Sequence, residues 1–278
     1  MSTIDSHVKE NGGYHNEDIH RTNTVQTINM SPEIFEKLYL QPQNKIHGDL
    51  RRTFANPTPL PLLGFLIASS PLAISFMGWG GAGGNGAATI GLYYFFGGML
   101  QVIGSILEWF IGNTFPFVVF GSFGAFWLAF AVTLTPFYNA EGAFTAGATT
   151  AAEMAAATAT FEASLMYFPF FVGVLVFMYL ICSTRINFVF FMIFLFLDIA
   201  LFLLTGAYYK ASHGQAATAE RLFVATGACV FVFCVFGWYL LFAQLLQSVE
   251  FPISLPVGDF GRFWKKKASA QSDVEKAD

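Results

Sequence analysis

Charge is scarce in this chain. Asp, Glu, Lys and Arg make up 12% of its 278 residues, and most lie in the first sixty, the last twenty or short breaks between apolar stretches. Hydrophobic residues make up 55% and aromatics 18%, more apolar surface than a water-soluble globule of this length covers. Lipid is the solvent that accommodates the surplus, and a bilayer explains the segregation of charge. Cysteine is nearly absent. Cys182, Cys229 and Cys234 all fall inside apolar runs, which excludes a disulfide framework and leaves them as small hydrophobes. The five histidines, His7, His15, His20, His47 and His213, lie in tails or loops. Intramembrane metal or histidine chemistry therefore lacks its usual ligands, and neither a cofactor nor a nucleic-acid partner is expected.

The first 55 residues are rich in Asn, His, Thr and Glu and contain no apolar run resembling a signal-peptide core. They read as a disordered cytosolic tail, with one or two amphipathic turns at Ile34 to Leu40 lying on the membrane surface. Asn29-Met30-Ser31 fits the glycosylation pattern, but this topology places it in the cytosol. Residues 56–250 read as the transmembrane domain and 251–278 as a basic, polar cytosolic tail.

A helix needs about 20 apolar residues to cross a bilayer. Six stretches qualify: Leu60 to Trp79, Ala88 to Ile111, Phe117 to Phe137, Leu165 to Ser183, Phe188 to Tyr208 and Leu222 to Leu246. The fold class is therefore all-α, a bundle of six transmembrane helices. The Ala/Thr-rich stretch Asn139 to Phe161 is too polar to cross and has room for a short helix. Positive charges mark the cytoplasmic side of short loops. Lys45, Arg51 and Arg52 precede the first span, Arg185 separates the fourth and fifth, and Arg262, Lys265, Lys266 and Lys267 follow the sixth. Six spans put all of these on one side and leave Lys210 and Arg221 on the other, so both termini face the cytoplasm. An odd number of spans destroys that agreement. Trp79, Tyr208 and Tyr209 near span ends suit an interfacial belt.

The second span carries the clearest chemical signal. At 100° per residue, Gly97, Gln101, Gly104, Ser105, Glu108 and Gly112 share a narrow sector, with Met99, Val102, Ile106 and Phe110 opposite. Gln and Glu at membrane depth must face protein or water, so this face points into a bundle or lines a pore. Glu108 has two readings: a desolvated carboxyl that carries a proton, or an acceptor that organises neighbouring helices, for instance through Asn113. Gly121, Ala125, Ala129 and Thr133, four residues apart, read as a helix-packing stripe on the third span. Asp198 lies among Phe, Leu and Ile in the fifth span, and must be partnered, protonated or exposed to an aqueous path.

The run Asn56-Pro57-Thr58-Pro59-Leu60-Pro61-Leu62-Leu63-Gly64-Phe65 opens the first span. Asn suits a helix cap, and Pro fits the first turn without wasting an N–H. The run resembles the NPAPLGL signature of the acetate uptake transporter family, which includes the yeast acetate/ammonium permeases and the bacterial succinate-acetate permeases. A second block is similar to that family in the expected order: Gly97-Gly98, Gln101, Glu108 and Gly112-Asn113-Thr114-Phe115, then Phe120, Gly121, Gly124 and Phe126-Trp127. The resemblance covers about Asn56 to Leu246. It implies a six-helix protomer assembled as a hexamer, with a path for acetate or a related small carboxylate through each protomer. It also implies a constriction at Phe65, Phe123 and Ile193, where Phe123 stands at the family's Tyr position and Ile193 at its Leu position. Pro61 replaces the signature's Gly.

The expected function is transmembrane transport of acetate or related short-chain monocarboxylates, with or without accompanying protons, by a non-enzymatic pore or carrier in the plasma membrane. Asn56, Pro57, Pro59 and Leu60 form the entrance, and exposed N–H groups at the first helix start, with Arg51 and Arg52, attract the carboxylate. Phe65, Phe123 and Ile193 narrow the path, and Gln101, Ser105, Glu108, Asn113, Thr114 and Asp198 supply its polar or packing face. Gly64, Pro71 and Gly78 let the first span bend. The alternatives are ammonium export, which suits Glu108 and Asp198, or a non-transporting sensor or scaffold of acid stress. An aquaporin is excluded because only one Asn-Pro pair precedes a span. An intramembrane protease is disfavoured because no span holds His, a Ser-Lys pair or paired Asp.

Overall fold

A computed structural model describes residues 54–258 and residue 260. The arginines and lysines expected at the cytoplasmic rim (Lys45, Arg51, Arg52, Arg262 and Lys265 to Lys267) and the segment Ile34 to Leu40 lie outside the described residues. Among those described there is no β-strand, and six helical stretches are long and apolar enough to cross a bilayer.

We number the helices α1 (Pro59–Met77), α2 (Gly84–Phe110), α3 (Thr114–Leu134), α4 (Gly142–Thr145), α5 (Ala151–Leu165), α6 (Tyr167–Ser183), α7 (Phe188–Ser212) and α8 (Ala216–Ser248). Helix α2 starts as a 3₁₀ turn, passes through a π-helical segment at Tyr93–Leu100 and finishes as regular α-helix from Gln101. The stretch Asn139 to Phe161 holds more helix than its polarity suggested. Thr150 and Glu153 form a capping box, each side chain serving the other's backbone N–H at 3.1 to 3.2 Å. The alanine-rich run that follows has high helix propensity and leads through Met166 into α6, so α5 and α6 count as one candidate span.

The spans close into a ring. Helix α1 packs on α2, α2 on α3, α6 on α7, α7 on α8 and α8 back on α1. The α3–α6 side is joined by Phe126 stacked on Phe168, with centroids 5.2 Å apart, and by the Ser122 and Tyr179 hydroxyls at 3.1 Å. The side chains inside are chiefly Leu, Ile, Val and Phe, while Phe171, Ile181, Val235 and Phe242 stand exposed on the outside. Such an outer surface suits acyl chains or another protein rather than water.

Helices α1, α2 and α3 approach closely because glycines sit at the contacts. A Cβ on Gly97 would fall 2.5 Å from Trp127, and one on Gly104 2.5 Å from Pro61. Gly64 lies against the backbone carbonyl of Phe96, so it serves close approach rather than bending. Gly78 does not bend the span either. It ends α1 in the left-handed conformation at φ 71°, its N–H bonding Ile74, and the proline inside α1 is Pro71.

The third-span stripe is corrected. Gly121 does meet Ser105, but Ala125 and Ala129 are exposed and Thr133 is half-buried. The close approach belongs to Gly124, beside Val102, because Phe123 and Trp127 turn their bulk inward and rotate the small stripe out.

Residues 251–258, assigned to the tail, return across the end of the ring. Phe188 and Val189 donate their N–H groups to Gly258 and Val257 at 2.7 and 3.3 Å, and the Tyr239 hydroxyl donates to Pro256 at 2.7 Å. Val257 is buried.

The Gly64 contact is backbone on one side and cannot yield by a rotamer change. Gly64→Ala is expected to destabilise the bundle by about 1–3 kcal/mol, read as a lower thermal unfolding midpoint in detergent; an unchanged midpoint counts against this packing.

Candidate functional site

The buried face of α2 is the one its sequence marked. Gln101, Ser105 and Glu108 are almost wholly buried, whereas Met99, Ile106 and Phe110 are exposed. Ser105 donates to the Phe117 carbonyl at 2.7 Å and ties α2 to α3. Gln101 turns its amide nitrogen onto its own helix, at 2.8 Å from the Gly97 carbonyl, and its Oε1 has no protein partner.

Glu108 joins the two sequence motifs. Its Oε1 accepts from the Thr58 hydroxyl and its Oε2 from the Asn113 amide at 2.5 Å, while the Asn113 N–H donates to the Glu108 carbonyl at 2.8 Å. All three residues are buried. The carboxylate thus holds the start of α1 against the turn between α2 and α3. Hydrogen bonds of this kind are stronger in a low-dielectric setting than in water. The adjacent Thr114 is exposed in the first turn of α3.

The beginning of α1 departs from expectation in two respects. Asn56 is exposed and does not cap the helix; its Oδ1 accepts from the Thr58 N–H at 3.1 Å, an Asx turn. The N-cap is Thr58, whose hydroxyl is engaged by Glu108 rather than by the helix. Nor are N–H groups offered to an anion. Pro59 and Pro61 have none, the Leu60 N–H bonds Pro57 at 3.1 Å and the Leu62 N–H bonds Thr58 at 3.3 Å. Prolines and a local turn use up the donors that a helix start ordinarily leaves open. Pro57 is buried, and Pro59 and Leu60 are half-buried.

Inside the ring, Phe65 stacks on Phe233 at 5.3 Å between centroids and meets Phe123 at 5.4 Å. Ile193 is buried in the same apolar cluster. Phe123 in turn meets the edge of Tyr179 at 6.2 Å. Beside the three phenylalanines lies a cavity of about 50 Å³, extending toward Phe76 and Leu204 and walled also by Trp127 and Thr226. Its Ser69 and Thr226 hydroxyls donate to the carbonyls of Phe65 and Leu222 at 2.7 and 2.8 Å, so the wall is effectively apolar. Asp198 is mostly buried, next in sequence to the cavity-lining Leu197, and its Oδ1 meets no protein donor. The sequence reading missed Phe233 and Tyr179. Spacing of Thr226, Val230 and Phe233 at i, i+4 and i+7 was a signal for the first, though it was lost in a helix that is apolar all round.

Glu108→Ala leaves the buried Thr58 hydroxyl and Asn113 amide without this acceptor. It is expected to cost about 2–6 kcal/mol, from about 1–3 kcal/mol for each of the two groups. Combined with Thr58→Val, the losses should be less than additive in a double-mutant cycle of unfolding measurements (Thr58→Val, Glu108→Ala and the double variant); strict additivity refutes the linkage.

Three comparisons bear on this architecture. Over 248 residues the chain is 45% identical to protein alcS of Aspergillus fumigatus, a match covering 89% of this chain and 90% of that protein. Acetate permease A of Emericella nidulans is 31% identical over 210 residues, covering 75% of this chain and 67% of that protein. Among solved structures, the bacterial acetate channel SatP has a similar fold, with a TM-score of 0.55 and 22% identity, over 74% of this chain and 99% of that one. Residues 38–262 match the family model described as the GPR1/FUN34/yaaH family, and this multi-pass membrane protein belongs to that family.

Proposed function

We propose that the chain carries acetate or a closely related short monocarboxylate across the membrane, through a path in each protomer that passes Phe65, Phe123 and Ile193. The observation that carries this reading is the small apolar cavity lying against the Phe65–Phe123–Phe233 cluster inside a closed ring of helices. At about 50 Å³ the cavity exceeds the roughly 10–15 Å³ that admits a single water and suits a compact acid. Relatives named acetate permease, and a channel of similar fold named for acetate, support the same substrate class.

A carboxylate loses water on entering such a conduit, so an aromatic narrowing acts as a gate by dehydration. Glu108 is engaged by Thr58 and Asn113, which favours its organising role over that of a proton carrier. In this reading Asn56, Pro57, Pro59 and Leu60 shape the entrance, while Ser105 and Asn113 hold the helices that enclose the path; Gln101 bonds its own helix and Thr114 is exposed at the start of α3. Asp198 is buried on α7, the helix whose Leu197, Ala200 and Leu201 line the cavity, and is proposed as a polar group that supports the route. The chain resides in the plasma membrane with both termini cytoplasmic, an orientation supported by six spans and the placement of Arg185. Protomers assemble as hexamers, in line with the family resemblance, which leaves outward apolar residues such as Ile106 and Phe110 to meet lipid or a neighbouring protomer.

Truncating the gate should relax its size limit. In proteoliposomes, Phe65→Ala is expected to raise butyrate flux relative to acetate several-fold. An unchanged ratio in a folded variant removes the constriction, and a wild-type protein that passes neither acid removes transport.

A further inference from the structure

The wall of the cavity contributed by α8 does not stop at the aromatic cluster. Thr226, Val230 and Phe233 line the cavity, and Gly237, Leu240, Leu241 and Gln244 continue the same buried stripe at helical spacing. At 100° per residue, Thr226, Phe233, Gly237 and Gln244 fall within about 20° of one direction. The inward face of α8 therefore runs from the cavity, past the gate, to a glutamine about 16 Å beyond Phe233 at 1.5 Å per residue.

Gln244 is 2% exposed, and among the described residues neither its amide nitrogen nor its carbonyl oxygen has a hydrogen-bond partner. Its depth follows from its neighbours. Along α8, Gly227 lies against the Ala73 carbonyl and Gly237 against Leu66. Seven residues further, the antiparallel register brings Gln244 level with the first turn of α1. On the other flank Phe236 stacks on Phe196 at 6.4 Å, which sets Gln244 level with Phe188 at the start of α7. Residues 256–258 cross this end of the ring. The position is thus the opposite mouth of the gate from the cavity.

A carboxylate at this mouth needs N–H donors, and the backbone has few to offer. The α1 start has used its own, as described above. At α7 the Phe188 and Val189 N–H groups bond Gly258 and Val257, and the Phe190 N–H bonds the Asn187 side chain at 2.9 Å. Buried polar groups in native proteins are nearly always paired, so an amide left open in this setting marks a place where a ligand completes the bonding. A neutral amide also suits a transport path. It donates to an anion without the strong Coulombic hold of Lys or Arg, and a weak station lets the ion leave.

We propose that Gln244 is a carboxylate-binding station on the Asn56 side of the aromatic gate, its side-chain NH₂ donating to the permeating acid. The inference rests on the transport reading above, and its test separates the two. Full-length Gln244→Leu, Gln244→Met and Gln244→Glu are reconstituted for radiolabelled acetate flux over a concentration series, with unfolding midpoints measured in detergent. Removing an unpaired buried amide in favour of an apolar side chain should leave the midpoint of Gln244→Leu at or above that of wild type, while its half-saturating acetate concentration rises about tenfold or more. Gln244→Glu, which places an acidic side chain where the anion is held, should fall below about a tenth of wild-type flux. If the Leu variant does not fold, the Met variant is judged by the same half-saturation criterion. Unchanged half-saturation in the apolar variant and unchanged flux in the Glu variant overturn the station but leave transport standing. A lowered midpoint with normal flux makes Gln244 structural and overturns it too. A wild-type protein without acetate flux overturns both readings.

Discussion

A single buried carboxylate organises one side of this protein. Glu108 accepts from Thr58, which begins α1, and from Asn113, which precedes α3. Three helix ends are thereby brought to one point. Hydrophobic burial offers helices little reason to associate within a bilayer, because lipid tails are as apolar as leucine. Specific geometry must come instead from directional bonds and from surfaces that fit closely. Glu108 provides the first, and the glycine contacts of Gly64, Gly97 and Gly104 provide the second. Together they fix α1 tightly enough for Phe65 to face Phe123 and Phe233.

This arrangement explains why an acidic side chain coexists with a conduit read as passing an anion. Glu108 is satisfied by Thr58 and Asn113, some two helical turns from the Phe65 ring along α1. The cavity itself is walled by rings, aliphatic side chains and hydroxyls already bonded to their own helices. In the proposed path, discrimination comes from size and dehydration rather than from charge, and polar assistance is assigned to Gln244 at the end of the α8 stripe.

How much the chain alone revealed depended on contrast. The six spans were legible because each apolar run is long and bounded by polar or Gly/Pro residues. The inward face of α2 was legible because Gln101, Ser105 and Glu108 stand against bulky apolar residues on the other side. Helix α8 has little such contrast, so the inward position of Phe233 emerged only once α1 and α7 were packed against it. The small stripe of α3 misled for a related reason: close spacing of small residues identifies a face, but the volumes of Phe123 and Trp127 decide which face turns inward. The start of α1 misled differently. Whether Asn56 caps a helix depends on the backbone of Thr58, and the spending of the N–H groups of Leu60 and Leu62 follows from a turn that the letters do not show. A short helix was legible between Asn139 and Phe161, but the full length of α5 was not, because its threonines and Glu153 dilute the apolar run that suggests a span, although its alanines are good material for a capped helix.

The returning segment at residues 256–258 has a mechanical consequence. Its main-chain bonds clamp it to the first turn of α7, and Tyr239 pins it to α8. Whatever force or binding event acts on the chain beyond this point is delivered to the root of the helix that carries Ile193, one and a half turns away. Residues 256–258 therefore act as a strap that ties the root of α7 to α8, so that these two helices resist splaying at the mouth as one unit.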